Sequence, residues 1–174
     1  MKTLADYLTQ DLKLLSVGLN PSLSSVQCGY PFSHPRNRFW PAFNAAFYPD
    51  TALKPSMEVM RFLVADGIGF TDVVKRPSAG SASLRADDYR RWCPLLVGKI
   101  EELRPAILWF HGKVAYAAFR KYGLGEKPLP LKWGWQPALL GARCYLSPNP
   151  SAANAAFSRD FLELAYRRLA AQIS

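Results

Sequence analysis

Leu14-Leu15-Ser16-Val17-Gly18-Leu19 is almost wholly apolar and is cut off at once by Asn20-Pro21-Ser22. Six residues are too few for a buried helix, and the Asn-Pro-Ser behind them is turn chemistry, so the run reads as a buried strand ending in a turn. Two later runs have the same form: Ala106 to Phe110, followed by His111-Gly112, and Arg143 to Leu146, followed by Ser147-Pro148-Asn149.

Segments with three- and four-residue apolar spacing separate these runs. The clearest extends from Ser83 to Arg104, where Tyr89, Trp92, Cys93, Leu96, Ile100 and Leu103 share a face and Pro105 stops the helix. Asn37 is placed to cap a helix carrying Phe39, Trp40, Phe43 and Phe47, with Pro41 in the first turn, where a missing N–H is tolerated. Helices are also predicted over Ser56 to Ala65, from Gly112 through Tyr122, and over Phe157 to Gln172, the last offering Phe161, Leu164, Ala165, Tyr166 and Leu169 to the core. Pro77 to Ser83 and Gly123 to Pro137 read as exposed loops. The alternation predicts an α/β fold, a three-layer α/β/α arrangement around a central, mostly parallel sheet, with ligands bound beyond the carboxyl ends of the strands. With 174 residues, 49% of them apolar, the chain is expected to form one domain spanning residues 1–174.

Lys and Arg number 22 against 13 Asp and Glu, a formal charge of +9 that favours a polyanionic partner such as nucleic acid, and an aromatic content of 13% supplies stacking surfaces. The first ten residues lack a signal-peptide pattern and no run approaches a membrane span, so a cytoplasmic, nucleoid-associated protein with no membrane partner is expected. Cys28, Cys93 and Cys144 are too few and too scattered for a disulfide framework, a CxxC metal site or an iron–sulfur cluster, and no cofactor is expected.

The residues behind the first strand carry the chemistry. In Gly18-Leu19-Asn20-Pro21 the turn can expose backbone N–H groups, while Asn20 serves either as a turn residue bonding its own backbone or as an amide that orients a water molecule. Downstream stands Gly29-Tyr30-Pro31-Phe32-Ser33-His34-Pro35-Arg36-Asn37-Arg38-Phe39-Trp40. Together with Gly69-Phe70-Thr71-Asp72-Val73-Val74-Lys75-Arg76-Pro77 and Pro148-Asn149-Pro150-Ser151, these stretches resemble the mismatch-specific uracil-DNA glycosylase and thymine-DNA glycosylase family, over most of the chain and in the right order.

That resemblance implies a uracil-DNA glycosylase-like fold and a monofunctional hydrolase that flips uracil or another deaminated base from DNA and leaves an abasic site. Asn20 would position the attacking water, Phe32 would stack on the extruded base, and backbone amides near Leu19 and Phe32 would meet its carbonyl edge, with Gly18, Tyr30, Ser33 and Asn37 completing the base site. Asp72 is a second candidate catalytic residue, able to polarise the water, or else a cap or an ion-pair partner of Lys75 or Arg76. Asn149, Pro150, Ser151, Ala152, Ala153 and Asn154 would form the loop that enters DNA. Here the chain departs from the family, which carries a bulkier wedge and a basic residue where this sequence has Ala152-Ala153-Asn154-Ala155, so little dependence on the opposite base is expected. Ser22 likewise replaces a frequent Gly and adds a side chain near the pocket floor. Arg36, Arg38, Lys75, Arg76 and Lys113 are available for phosphates. His34 and His111 form no metal or triad pattern, and His34 is expected to support its loop. A hypoxanthine- or xanthine-preferring glycosylase and a non-catalytic nucleic-acid-binding module are the competing readings, and a monomer is expected.

Overall fold

The structure is a computed structural model and describes residues 1–173. Five strands form one sheet: β1 (Leu14–Gly18), β2 (Ile68–Asp72), β3 (Ile107–His111), β4 (Gly134–Leu139) and β5 (Ala142–Ser147), in the order β2-β1-β3-β5-β4. All neighbours pair in parallel except β4, which lies antiparallel to β5 at one edge. Six helices flank it: α1 (Leu23–Cys28), α2 (Phe39–Phe47), α3 (Met57–Ala65), α4 (Ala86–Leu103), α5 (Lys113–Ala118) and α6 (Arg159–Ala170).

Period-two alternation within the buried strands divides the core between two faces. Leu15, Val17, Leu108, Phe110 and Leu146 point toward Cys93, Leu96, Ile100 and Tyr116 of α4 and α5. Leu14, Ile107, Trp109 and Tyr145 point the other way, onto Phe39 and Phe43 of α2, Met60 and Leu63 of α3, and Tyr166 and Leu169 of α6. The expected α/β/α layering is therefore present.

Three local features differ from the expectation. Gly134 to Pro137, read as loop, opens β4. Pro137 has no N–H for a ladder and suits only an edge strand, which is why the segment lacks a buried-strand signature. The polar stretch after Pro21 contains the short α1, nucleated because Ser22 Oγ accepts from Ser25 N at 3.0 Å. In α6 the buried stripe is Leu162, Tyr166 and Leu169, whereas Phe161 and Leu164 remain 40% and 48% exposed. Among the described residues no helix is long and apolar enough to cross a membrane.

Candidate active site

Parallel pairing places Gly18 opposite Asp72, and the ladder continues past the strands through Val73 N to Gly18 O and Val74 N to Leu19 O, each 2.9 Å. Asn20 and Asp72 thus emerge at the carboxyl ends of adjacent strands. The Asp72 carboxylate lies so close to the first of them that a Cβ at position 18 would stand 2.6 Å from its Oδ1. Glycine is required there by contact.

Asn20 is half-buried, and its Nδ2 donates to Arg76 O at 3.0 Å and to Ser78 Oγ at 2.8 Å. A carbonyl oxygen only accepts, so the partner fixes which end of the amide is nitrogen. Ser78 passes its own hydrogen to Gly80 O at 2.8 Å, consistent with accepting from Asn20. Asn20 Oδ1 is left without a protein partner among the described residues. The loop from Arg76 to Arg85 that supplies these acceptors is itself tied down: Asp88 accepts from Arg76 Nε and Nη2, each at 2.7 Å, and from Arg85 N at 2.8 Å. The Arg76 guanidinium holds the Asp88 carboxyl down at about 2.

Asp72 is enclosed, with its side chain 11% exposed. Burial raises its carboxyl to about 6, against the opposing pull of the Lys75 ammonium 3.7 Å away. That separation exceeds hydrogen-bond range, and no described group donates a hydrogen bond to Asp72. Lys75 instead donates to Asp6 Oδ1 at 2.7 Å. Lys75 and Arg76 are therefore consumed in internal ion pairs rather than free for phosphates.

Phe32 is half-buried and holds a φ of +58°, a left-handed conformation that a phenylalanine adopts only under restraint. One face stacks on Phe39 with ring centroids 4.1 Å apart, and His111 meets it edge-on at 5.2 Å. Leu19 N and Phe32 N donate to no described acceptor, so two backbone donors are free beside the strand end. A small cavity of about 10 Å³ joins Phe32 to Ser16, Thr71, Asp72 and Lys75. This admits about one water molecule and excludes a base, and Asn20 is not part of its wall.

The other expected base-site residues have structural roles in hand. Asn37 Oδ1 accepts from Phe39 N at 2.9 Å and begins α2, while Ser33 Oγ lies 2.5 Å from Ser24 Oγ. Tyr30 is half-buried against the aromatic core. Ser22, expected near the pocket floor, caps α1. His34 Nδ1 accepts from Arg36 N at 3.1 Å and so braces its own loop. His111 has no role legible in the sequence, yet it packs against Phe32 from the interior: its Nε2 is 2.7 Å from Ser16 Oγ, and burial lowers it to about 3, so the ring stays neutral.

In the 149–154 loop, Ala152 and Ala153 form the exposed tip, whereas Pro150 is buried. Asn149 Oδ1 accepts from Ser151 N at 2.9 Å, and Asn154 Nδ2 turns inward to Asn149 O at 3.1 Å instead of outward toward a base edge. Arg38 holds the loop from beneath, donating from Nη2 to Ser151 O at 3.1 Å and Asn154 O at 2.8 Å and from Nη1 to Phe157 O. It too is unavailable to phosphate; Arg36 and Lys113 remain exposed.

An anchored amide, a buried carboxylate and a stacked aromatic ring thus gather at the carboxyl end of a mostly parallel sheet, where open α/β sheets bind their ligands. Residues 5–170 match the uracil DNA glycosylase superfamily, and the chain belongs to that family. Its fold is similar to the solution NMR structure of a protein from Methanosarcina acetivorans provisionally described as a uracil DNA glycosylase, with a TM-score of 0.63, 19% identity and 97% of each chain covered.

Proposed function

We propose that this protein is a monofunctional DNA glycosylase of the mismatch-specific uracil-DNA and thymine-DNA glycosylase type, which extrudes uracil from DNA and hydrolyses its N-glycosidic bond. The observation that carries the reading is that Asn20, whose amide is held by its nitrogen and keeps its oxygen free, and Asp72, a buried carboxylate that accepts no hydrogen bond, stand at the carboxyl ends of adjacent strands.

Asn20 Oδ1 accepts one hydrogen of a water and aims its oxygen at the sugar C1′. Asp72 takes the water's other proton as the C–O bond forms, while the bonding pair of the C1′–N bond leaves with the base. The free N–H groups of Leu19 and Phe32 meet the negative charge that grows on the base oxygen. The base stacks over Phe32, which recovers on the order of 1–3 kcal/mol of the stacking lost on extrusion. Because the cavity beside Asp72 is too small for a base, the base docks on the open side of that ring and the 29–38 loop yields to admit it. Asp72 acts as a base only when ionised, so release declines as pH falls below about 6.

Lys75 is engaged with Asp6 and Asp72, which supports simple hydrolysis over a Schiff-base mechanism with strand cleavage. The alanine tip fills a vacated base position poorly, so uracil opposite guanine, opposite adenine and in single strands is released at similar rates. The test is incubation with end-labelled oligonucleotides carrying uracil, hypoxanthine or ethenocytosine, followed by alkaline cleavage. Fastest release of uracil supports the reading, faster release of hypoxanthine reassigns the substrate, and no release from any duplex leaves only a binding module.

A further inference from the structure

Asp6 lies in the N-terminal segment, far in sequence from any motif, yet it is the centre of the charge cluster behind Asp72. Its Oδ1 accepts from Thr71 Oγ1 at 2.8 Å and Lys75 Nζ at 2.7 Å, and its Oδ2 accepts from Lys99 Nζ at 2.6 Å. An isolated bridge fixes it there: Tyr7 N donates to Phe70 O at 3.0 Å and Phe70 N to Tyr7 O at 2.9 Å, which lays the segment along β2. Asp6 is thus saturated with donors, while Asp72, the more enclosed of the two, has none within hydrogen-bond range.

The charged groups facing Asp72 are Lys75 from its own strand-end turn, Asp6 from the N-terminal segment and Lys99 from α4. Its remaining neighbours on β1 and the Phe32 loop, including Gly18 and Ser16, carry no charge. Lys75 has two carboxylates in reach, and the shorter contact to Asp6 sets where its ammonium sits. Full contact with Asp72 would place a cation on the lone pairs that the hydrolysis needs.

We propose that Asp6 is a positioning residue that draws the Lys75 ammonium off Asp72 and so keeps the Asp72 carboxylate unbonded and able to take the proton of the attacking water. This rests on the reading of Asp72 as the base, and it identifies what sets that base's strength. The two carboxylates respond oppositely to their surroundings: the Asp72 carboxyl is raised, whereas at Asp6 the two ammoniums outweigh burial and the carboxyl is lowered.

The test pairs a carboxyl-detected NMR titration of Asp72 with the pH profile of single-turnover uracil release, in the full chain and in Asp6→Asn. Removing the Asp6 charge lets Lys75 settle on Asp72, so the Asp72 midpoint falls by about one pH unit or more and the acid limb of the rate profile moves down with it. The rate on the plateau falls severalfold because the base is weaker. Lys75→Met moves the midpoint the opposite way, above about 6, and in that background Asp6→Asn lowers it by clearly less than in the parent, because only the direct repulsion between the two carboxylates is then removed. An Asp72 midpoint unmoved in Asp6→Asn, or lowered as much in the Lys75→Met background as in the parent, overturns the role of Asp6. A midpoint that moves while the rate profile stays fixed overturns instead the assignment of Asp72 as the base.

Discussion

Replacing Asp72 by Asn should make the protein more stable, by a gain that grows from about pH 4 and is complete above about pH 6. In the unfolded chain the Asp72 carboxyl titrates near 3.8, and in the folded protein burial raises it to about 6. The folded state therefore binds this proton more tightly, and stability contributed by the protonated form, complete below 3.8, is lost as pH rises through about 6. Two pH units at about 1.4 kcal/mol each make the ionised carboxylate cost up to about 3 kcal/mol at pH 8. Asn has the same shape and no charge, so it removes that penalty and leaves Lys75 paired with Asp6. Urea unfolding of both proteins at pH 4 and pH 8 reads the effect. With a slope of roughly 2 kcal/mol per molar, the Asn variant should unfold up to about 1.5 M later at pH 8 and nearly together with the parent at pH 4. A variant less stable than the parent at pH 8, or a gain equal at both pH values, would refute the reasoning, because the gain comes from removing a charge that burial, and the Asp6 carboxylate beside it, disfavour.

Ser78→Ala removes the shortest of the three contacts that hold the Asn20 nitrogen and should slow single-turnover release about 3- to 10-fold without weakening duplex binding, the value of one hydrogen bond; an unchanged rate would show that the Arg76 and Pro21 carbonyls fix the amide without it. Phe32→Ala should weaken capture of the extruded base by a factor consistent with 1–3 kcal/mol, measured with a fluorescent base analogue at the flipped position, and undiminished capture would remove the ring from the site. Arg38→Met frees the carbonyls of Ser151, Asn154 and Phe157, so proteolysis within 151–157 should quicken about tenfold and duplex affinity fall; unchanged cleavage would contradict the clamp.

The sheet was legible in β1, β3 and β5, each a short apolar run closed by its own turn residues, whereas β2, broken by Gly69 and Thr71, is buried without such a run. Asn20 was legible for the same reason, lying on the turn that ends β1. β4 was not, since an exposed edge strand containing Pro137 shows no apolar run. The electrostatics behind the site were invisible: Asp6 meets Lys75 across 69 residues and Lys99 across 93, and nothing local to Asp6 signals either contact. The same distance hid the fate of the basic residues. Lys75, Arg76 and Arg38 have the composition of phosphate contacts, but folding spends them on Asp6, Asp88 and three loop carbonyls. His111 sits at the end of a recognisable strand, and only the packing of Phe32 and Phe39 against it shows that it backs the Phe32 ring.

The central claim is that an amide anchored by its nitrogen steers water onto the bond to an extruded base, and Asn20→Ala tests it most directly. Single-turnover release of uracil from a duplex should fall by about 10²- to 10⁴-fold while binding of the same duplex, followed by fluorescence anisotropy, stays within about twofold. Full release by the variant would contradict the account.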